Sequence, residues 1–476
     1  MVFSSPIFLF LFLPITLGVY FLLPRRSRNI WLLGTSLVFY GWGEPKFILV
    51  MLASIIINFL LALWIDDVRN RADARLPLAM AVVANIGLLA AFKYTGFITT
   101  NLNTLLGELQ LAPFAIPSIA LPIGISFYTF HALSYVIDVY RGDAPVQRNP
   151  LTLGLYISLY SQLIAGPIIR YHDVVHQLDE RSVDRADFAY GVERFIVGLG
   201  KKVLLANSLA GPADLIFSIP GDQLTLPVAW LGLACYTLQI YFDFSGYSDM
   251  AIGLARMVGF RFLENFNYPY ISQSLTEFWR RWHISLSTWF RDYLYIPLGG
   301  NRVAPWRVYV NLFIVFFLCG LWHGASWTFV FWGLFHGAFL VAERARLTRW
   351  MAAWLAPFRH LYALLVVMVS WVFFRSATLP EAWSFLEAML GLSPASGAEH
   401  PFALYADAQT LLAIAVGSVA STPVLASIKR WRGGLTLRGS EIAASVVEAA
   451  GQALILMTSV LLLAAGTYNP FIYFRF

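Results

Sequence analysis

The chain has 476 residues, of which 58% are hydrophobic and only 13% charged, well below the charge density of a soluble domain. That composition excludes an ordinary soluble enzyme, and apolar segments of about 20 residues recurring along the whole length argue for membrane helices and against a β-barrel. The net charge of +6 does not point to nucleic acid, because the basic residues gather in short loops between apolar runs, as positive-inside topology requires.

Aromatic residues make up 16% of the chain and include 16 Trp, which suits interfacial belts and a packed bundle. The two cysteines, Cys235 and Cys319, lie in apolar runs without metal-ligand spacing, and the expectation is reduced core thiols and no metal site. Met1 to Pro6 carries no basic n-region and no clear cleavage site, so it reads as the approach to a retained span.

The first span is expected over Ile7–Leu23, and the arginines of Pro24–Arg28 place the following loop in the cytoplasm and the N-terminus outside. Spans near Asn29–Trp42, Phe47–Ile65 and Leu76–Ile98 follow, the first of them short enough to be tilted or re-entrant. Leu121–Tyr128 is punctuated by Pro and Gly and predicts a broken helix, as does Leu151–Arg170 with its Ala165-Gly166-Pro167. Tyr171–Tyr190 is polar and reads as a cytoplasmic surface helix, and Gly191–Leu209 as an amphipathic or membrane helix carrying Arg194, Lys201 and Lys202.

Leu226–Phe260 is long and apolar yet holds Gln239, Asp243, Ser245, Ser248 and Asp249, and Leu275–Arg302 is dense in Trp and Arg. Further spans are predicted near Tyr309–Cys319, Trp327–Ala342, Leu361–Phe374, Leu404–Val424 and Ile442–Ala465. Glu343–Trp350 and Ser427–Arg438 are basic, whereas Ala377–Tyr405 has no Lys or Arg, an alternation that places the C-terminus outside. The fold class expected is an all-α polytopic membrane protein. It forms a single transmembrane domain over residues 1–476, with roughly eleven spans plus re-entrant pieces.

The stretch Leu321-Trp322-His323-Gly324-Ala325-Ser326-Trp327 sets an imidazole between two indoles in an apolar context. A titratable group at membrane depth is costly and marks a functional site by default. Gly320 and Gly324 bracket it and could let the backbone leave a regular helix, which is tolerated only in buried or cavity-lining positions. His323 is therefore read as a base facing an internal tunnel, with Trp322 and Trp327 as wall candidates. The competing reading is a core histidine bonded to a carbonyl.

Three stretches carry a family resemblance: Gln239–Met250, which contains Phe242-Asp243-Phe244-Ser245-Gly246-Tyr247-Ser248-Asp249; Phe278-Trp279-Arg280-Arg281-Trp282-His283-Ile284-Ser285; and Leu321–Trp327. They resemble the membrane-bound O-acyltransferases, in particular the alginate O-acetyltransferase type, which is related to the D-alanine exporter of teichoic acid synthesis. The likeness covers nearly the whole chain, and it implies a helical bundle around a central tunnel.

The resemblance makes His323 the catalytic histidine. An imidazole, with an ordinary pKa of about 6.5, suits acyl transfer from a thioester to a hydroxyl. His283, forty residues earlier, matches a second polar position of the family and could polarise the acyl carbonyl or position the donor; an interfacial histidine in a Trp/Arg belt is the alternative. His336 is expected to be structural. Arg280, Arg281, Arg291, Lys201 and Lys202 could meet the phosphates of coenzyme A, or simply reflect positive-inside bias. Asp243 and Ser245 could line the reaction chamber or bond neighbouring helices, and Gln162 is a weaker tunnel candidate. The final Pro470-Phe471-Ile472-Tyr473-Phe474-Arg475-Phe476 resembles an aromatic tail of this branch whose tyrosine receives the acyl group; here that is Tyr473.

The activity implied is transfer of acetyl from cytoplasmic acetyl-CoA across a bacterial inner membrane to an extracytoplasmic hydroxyl. A separate partner enzyme then acetylates an exported polysaccharide such as alginate, cellulose or peptidoglycan. Surrounding lipid and that partner are the expected associates; nucleic acid is not. A transporter with His323 as proton relay, and a protein or lipid acyltransferase using a long-chain donor, are the alternatives.

Overall fold

The computed structural model describes residues 1–69, 72–116, 119–424, 427, 438–466 and 468–472, which are helical with no β-strand among them. Five helices are long and apolar enough to cross a membrane: Ile48–Val68, Arg75–Lys93, Pro305–His323, Ala356–Arg375 and Ser445–Ala464. Phe8–Leu22 and Ala408–Ala420 are shorter apolar helices. The residues form two compact units, Met1–Val192 with Ala251–Leu263, and Glu193–Met250 with Glu264–Phe476.

In the first unit the helix Ile125–Arg141 is almost wholly buried and packs against Ile48–Val68 and Arg75–Lys93. Asn58 and Asn85 exchange side-chain amide bonds of 3.1 and 2.6 Å between the latter two helices, the kind of polar contact that joins helices where water is absent. The stretch Leu121–Tyr128 is not a broken helix: residues 119–124 are irregular and lead into a helix start. The helix starts only at Ile125, after Gly124 at φ +78°, where a side chain would meet the Leu163 carbonyl oxygen at 2.7 Å. The span predicted over Leu76–Ile98 instead ends at Lys93, and a second helix, Thr95–Glu108, follows. Leu151–Arg170 begins as the helix Pro150–Ser158 and then runs irregularly to Tyr171. On the polar stretch after it, His172 Nδ1 pairs with the buried Asp138 carboxylate at 2.9 Å, and this bond raises the His172 pKa above its ordinary 6.5.

In the second unit Pro305–His323 and Trp327–Ala342 form a hairpin that packs on Ala356–Arg375. Arg185–Gly200 leads through a wider π-type turn, Lys201–Ala206, into Asn207–Phe217. It crosses Leu226–Met257 where Gly198 faces Gly246: a Cβ on either would come within 2.8 Å of the other's carbonyl oxygen. That backbone contact brings the turn with Lys201 and Lys202 against the carboxylates of the long helix.

Candidate functional site

His323 is the last residue of Pro305–His323. The hairpin that holds it is closed backbone to backbone, since a Cβ on Gly320 would lie 2.3 Å from the Phe329 carbonyl oxygen and one on Gly333 2.2 Å from that of Phe316. Only glycine allows so close an approach. Gly320 thus serves packing inside a regular helix, and the departure from helix occurs at Gly324, which is extended.

The His323 side chain is buried with 6% exposure. Its ring meets Trp322, Trp332 and Phe374 nearly edge-on at 5.0, 5.0 and 5.2 Å. Beside it is a cavity of about 10 Å³, also walled by Phe244, Trp282, Trp371 and Ile472, with room for about one water. Trp322 is buried. Trp327, by contrast, is 55% exposed and is not among the walls of this cavity.

One helical turn before His323, Cys319 faces a larger, mostly apolar cavity of about 180 Å³ shared with Trp279, Ser287, Phe290 and Arg291. Of the cationic candidates, Arg291 lies on its wall and also pairs with Asp292 at 2.6 Å. Arg281 pairs with Glu277 at 2.9 Å, and Arg280 is exposed.

His283 starts the helix Ile284–Phe290 in the left-handed region at φ +44°, a costly conformation for a residue with a Cβ that points to a functional constraint. It is fully buried, and its Nδ1 lies 3.1 Å from Asn265 Oδ1. That oxygen also accepts from the Ser285 amide at 3.2 Å and the Ser285 hydroxyl at 2.9 Å, while Asn265 Nδ2 donates to Ser248 at 3.0 Å. Because a backbone N–H can only donate, the Asn265 amide has one possible orientation. Nδ1 of neutral His283 therefore carries the proton and Nε2 is an acceptor. As a neutral ring in this tautomer, His283 cannot donate from Nε2 to an acyl carbonyl. Its ring contacts Phe244, a wall of the His323 cavity, at 4.6 Å and Trp322 at 6.2 Å.

Asn265 was not legible as functional in the sequence, where it is one polar residue in a loop. Glu343 was equally hidden. This buried carboxylate accepts from the Leu275 and Thr276 amides at 2.6 and 3.0 Å and so caps the helix that carries Trp279. Trp279 in turn donates to His336 Nδ1 at 3.3 Å, which gives His336 a structural bond.

Asp243, Ser245 and Asp249 lie on one long helix and are buried. Asp249 pairs with Arg194 at 2.7 Å and Lys201 at 2.6 Å. Asp243 pairs with Lys202 at 2.7 Å, with both side chains at 3% exposure or less. Gln162 lies in the first unit, bonded to the Tyr156 carbonyl. Tyr473 lies outside the described residues, but its neighbour Ile472 is a wall of the His323 cavity.

Fold and composition together define a multi-pass, all-helical membrane protein with a histidine buried in an aromatic cluster. The family model for the membrane-bound O-acyltransferases matches residues 143–378. The chain is 50% identical to a probable alginate O-acetylase of Azotobacter vinelandii, over 82% of this chain and 78% of that one. It is 42% identical to the probable alginate O-acetylase of Pseudomonas putida across the full length of both. With a peptidoglycan O-acetyltransferase of Helicobacter pylori it shares 37% identity, over 83% of this chain and 81% of the other. The chain belongs to the membrane-bound O-acyltransferase family and is an O-acyltransferase of its alginate O-acetylase-like branch.

Proposed function

We propose that this protein moves an acetyl group from cytoplasmic acetyl-CoA to an extracytoplasmic hydroxyl, for O-acetylation of an exported polysaccharide. The names of its relatives, alginate O-acetylase and peptidoglycan O-acetyltransferase, support acetyl as the group and a polysaccharide as its destination. The observation that carries the mechanism is the seat of His323, a buried imidazole beside a cavity that the last described residue, Ile472, helps to enclose.

In this reading the imidazole of His323 takes the proton of the acceptor hydroxyl as its oxygen attacks the acetyl carbonyl. The tetrahedral adduct collapses, the C–S bond breaks, and the coenzyme A thiolate takes the proton back from the imidazolium. The position suits the charge that forms, since carbonyls at a helix C-terminus favour a cation. His283, an acceptor at Nε2, holds a donor group in place beside it. The larger cavity against Cys319 is assigned to the donor arm, with Arg291 for its phosphates and Arg280 and Arg281 as further candidates.

The acceptor assigned is Tyr473, the next residue in the sequence after Ile472, which walls the His323 cavity. An aryl ester is activated, so the acetyl group passes on readily to a partner enzyme outside. This direction of transfer sets the protein in a bacterial inner membrane with both termini on the periplasmic side, as the loop charges favour.

The test is incubation of the purified protein in nanodiscs with acetyl-labelled acetyl-CoA. Thioester cleavage is expected to fall by about 10²–10⁴ in a folded His323→Ala variant, and peptide mass spectrometry is expected to find label on Tyr473. Tyr473→Phe removes the label. Uptake without cleavage would establish a transporter instead, and preference for long-chain thioesters a different acyltransferase.

A further inference from the structure

We infer that the Lys202–Asp243 ion pair is a main-chain clamp that seats the C-terminal segment against the His323 cavity. The pair lies within the second unit and joins the π-type turn Lys201–Ala206 to the helix Leu226–Met257. Its charges are 2.7 Å apart, with side-chain exposures of 3% and 2%. A pair so deeply buried contributes little net stability, because desolvating two charges offsets their attraction, and apolar residues of similar size often serve as well.

What distinguishes this pair is where its remaining hydrogen-bonding capacity goes. The Lys202 ammonium donates to the Pro470 carbonyl, and Asp243 Oδ2 accepts from the Ile472 amide at 2.8 Å. One cation and one anion thus read a carbonyl and an N–H two residues apart on a single strand of backbone. Between those two contacts the Phe471 ring lies 6.0 Å from the Lys202 ammonium and 4.7 Å from the Tyr247 ring. Upstream, Asn207 donates to the Asn469 side chain at 3.1 Å and Tyr468 donates to Asp214 at 2.7 Å. The outcome is that Phe471 and Ile472 are buried at 7% and 4% exposure, and Ile472 closes one wall of the cavity that His323 faces.

The clamp recognises peptide groups, so the identity of the bound residues is set by Phe471 packing and by Pro470, which has no N–H to satisfy at this point. Lys202 and Asp243 are therefore positioning residues: they touch the tail and not the reacting atoms. Their consequence for turnover rests on the reading of His323 and Tyr473 given above, whereas the clamp itself can be measured without any reaction.

The experiment is hydrogen–deuterium exchange of the full-length protein in nanodiscs. The double variant Lys202→Met/Asp243→Leu removes both charges and leaves neither one unpaired. Exchange at the Ile472 amide is expected to rise about tenfold or more, the size of one lost charge-assisted hydrogen bond, while exchange in Pro305–His323 stays as in the parent. Ile472→Pro removes the N–H that Asp243 accepts together with the isoleucine side chain, and Ile472→Val shortens the side chain but keeps the N–H. The first is expected to expose the tail to carboxypeptidase trimming and the second to leave it protected. Faster exchange with lower acetyl transfer supports the clamp and the carrier together. Faster exchange with transfer unchanged supports the clamp and removes Tyr473 as carrier. Unchanged exchange in the folded double variant, or equal trimming of the two Ile472 variants, overturns the clamp.

Discussion

Replacing Asn265 by leucine tests whether the tautomer of His283 matters. Asn265 is fully buried, and its Oδ1 collects three donors: His283 Nδ1, the Ser285 amide and the Ser285 hydroxyl. The hydroxyl can rotate toward another partner, but the ring N–H and the amide cannot. Two buried donors left unsatisfied cost roughly 1–3 kcal/mol each, so Asn265→Leu is expected to lower stability by about 2–6 kcal/mol. Asn265→Asp keeps an acceptor for all three donors, and Ser248 can turn its hydroxyl to donate in place of accepting, so it is expected to fold normally.

The two variants should also part in function. With leucine at position 265 nothing holds the proton on Nδ1, and the ring is free to carry it on Nε2, where the role proposed for His283 calls for an acceptor. Acetyl transfer is then expected to fall several-fold, by the share of rings that lose the Nδ1–H tautomer, mostly in kcat, while Asn265→Asp retains most of it. Histidine-selective ¹⁵N solid-state NMR, assigned by the signal missing in His283→Asn, reads the tautomer directly. It should show Nδ1–H in the parent and in Asn265→Asp, and a mixture in Asn265→Leu. A folded Asn265→Leu protein with parental kcat would refute the reasoning, as would a parent spectrum with the proton on Nε2.

Gly320→Ala puts a methyl 2.3 Å from the Phe329 carbonyl oxygen; it is expected to force the hairpin apart and cost stability and activity together, read as a lower thermal midpoint. Cys319→Phe fills part of the cavity of about 180 Å³ and is expected to raise KM for acetyl-CoA several-fold at nearly unchanged thermal midpoint, whereas an unchanged KM would move the donor elsewhere. The hydrogen bond to Asp138 raises the His172 pKa above 6.5. A raised folded-state pKa gives stability that is full below the unfolded value and is lost as pH rises through the folded one. The thermal midpoint should fall from mildly acid to alkaline pH, and His172→Gln should flatten that slope; an identical slope in the variant would exclude this pair as its cause.

Composition and apolar run length were enough to read the fold class, because twenty-residue hydrophobic segments have few other uses. Helix ends were less legible. Leu76–Ile98 reads as one run, yet the chain turns at Tyr94 and starts again at Thr95, and Trp327 reads as a chamber wall although it is 55% exposed. A linear pattern gives neither the direction of a side chain nor the residue that meets it across the fold. The same limit hid Asn265, whose partners Ser248 and His283 are 17 and 18 residues away, and the Gly198–Gly246 crossing. His323 and His283 stood out for a different reason: ionisable groups inside apolar sequence are costly wherever they fall, so their presence is informative before any contact is known.

Lys201 and Lys202 show how burial separates neighbours that sequence treats alike. Both read as cations available to phosphates. Lys201 is 27% exposed and shares Asp249 with Arg194, itself 24% exposed and reaching Glu264 as well. At that depth such a network is partly screened and ties loops and helix ends together at modest energy. Lys202, one residue on, points the other way around the π-type turn and loses its solvent to Asp243. Burial there is unfavourable unless further hydrogen bonds offset the lost water, and the tail supplies two, from the Pro470 carbonyl and the Ile472 amide. The cost of burying the pair and the order of the tail are thus one quantity: a chain end held by main-chain contacts to two desolvated charges cannot leave without exposing both. The same geometry that makes Lys202 unavailable to a nucleotide holds the residue before Tyr473 at the cavity of His323.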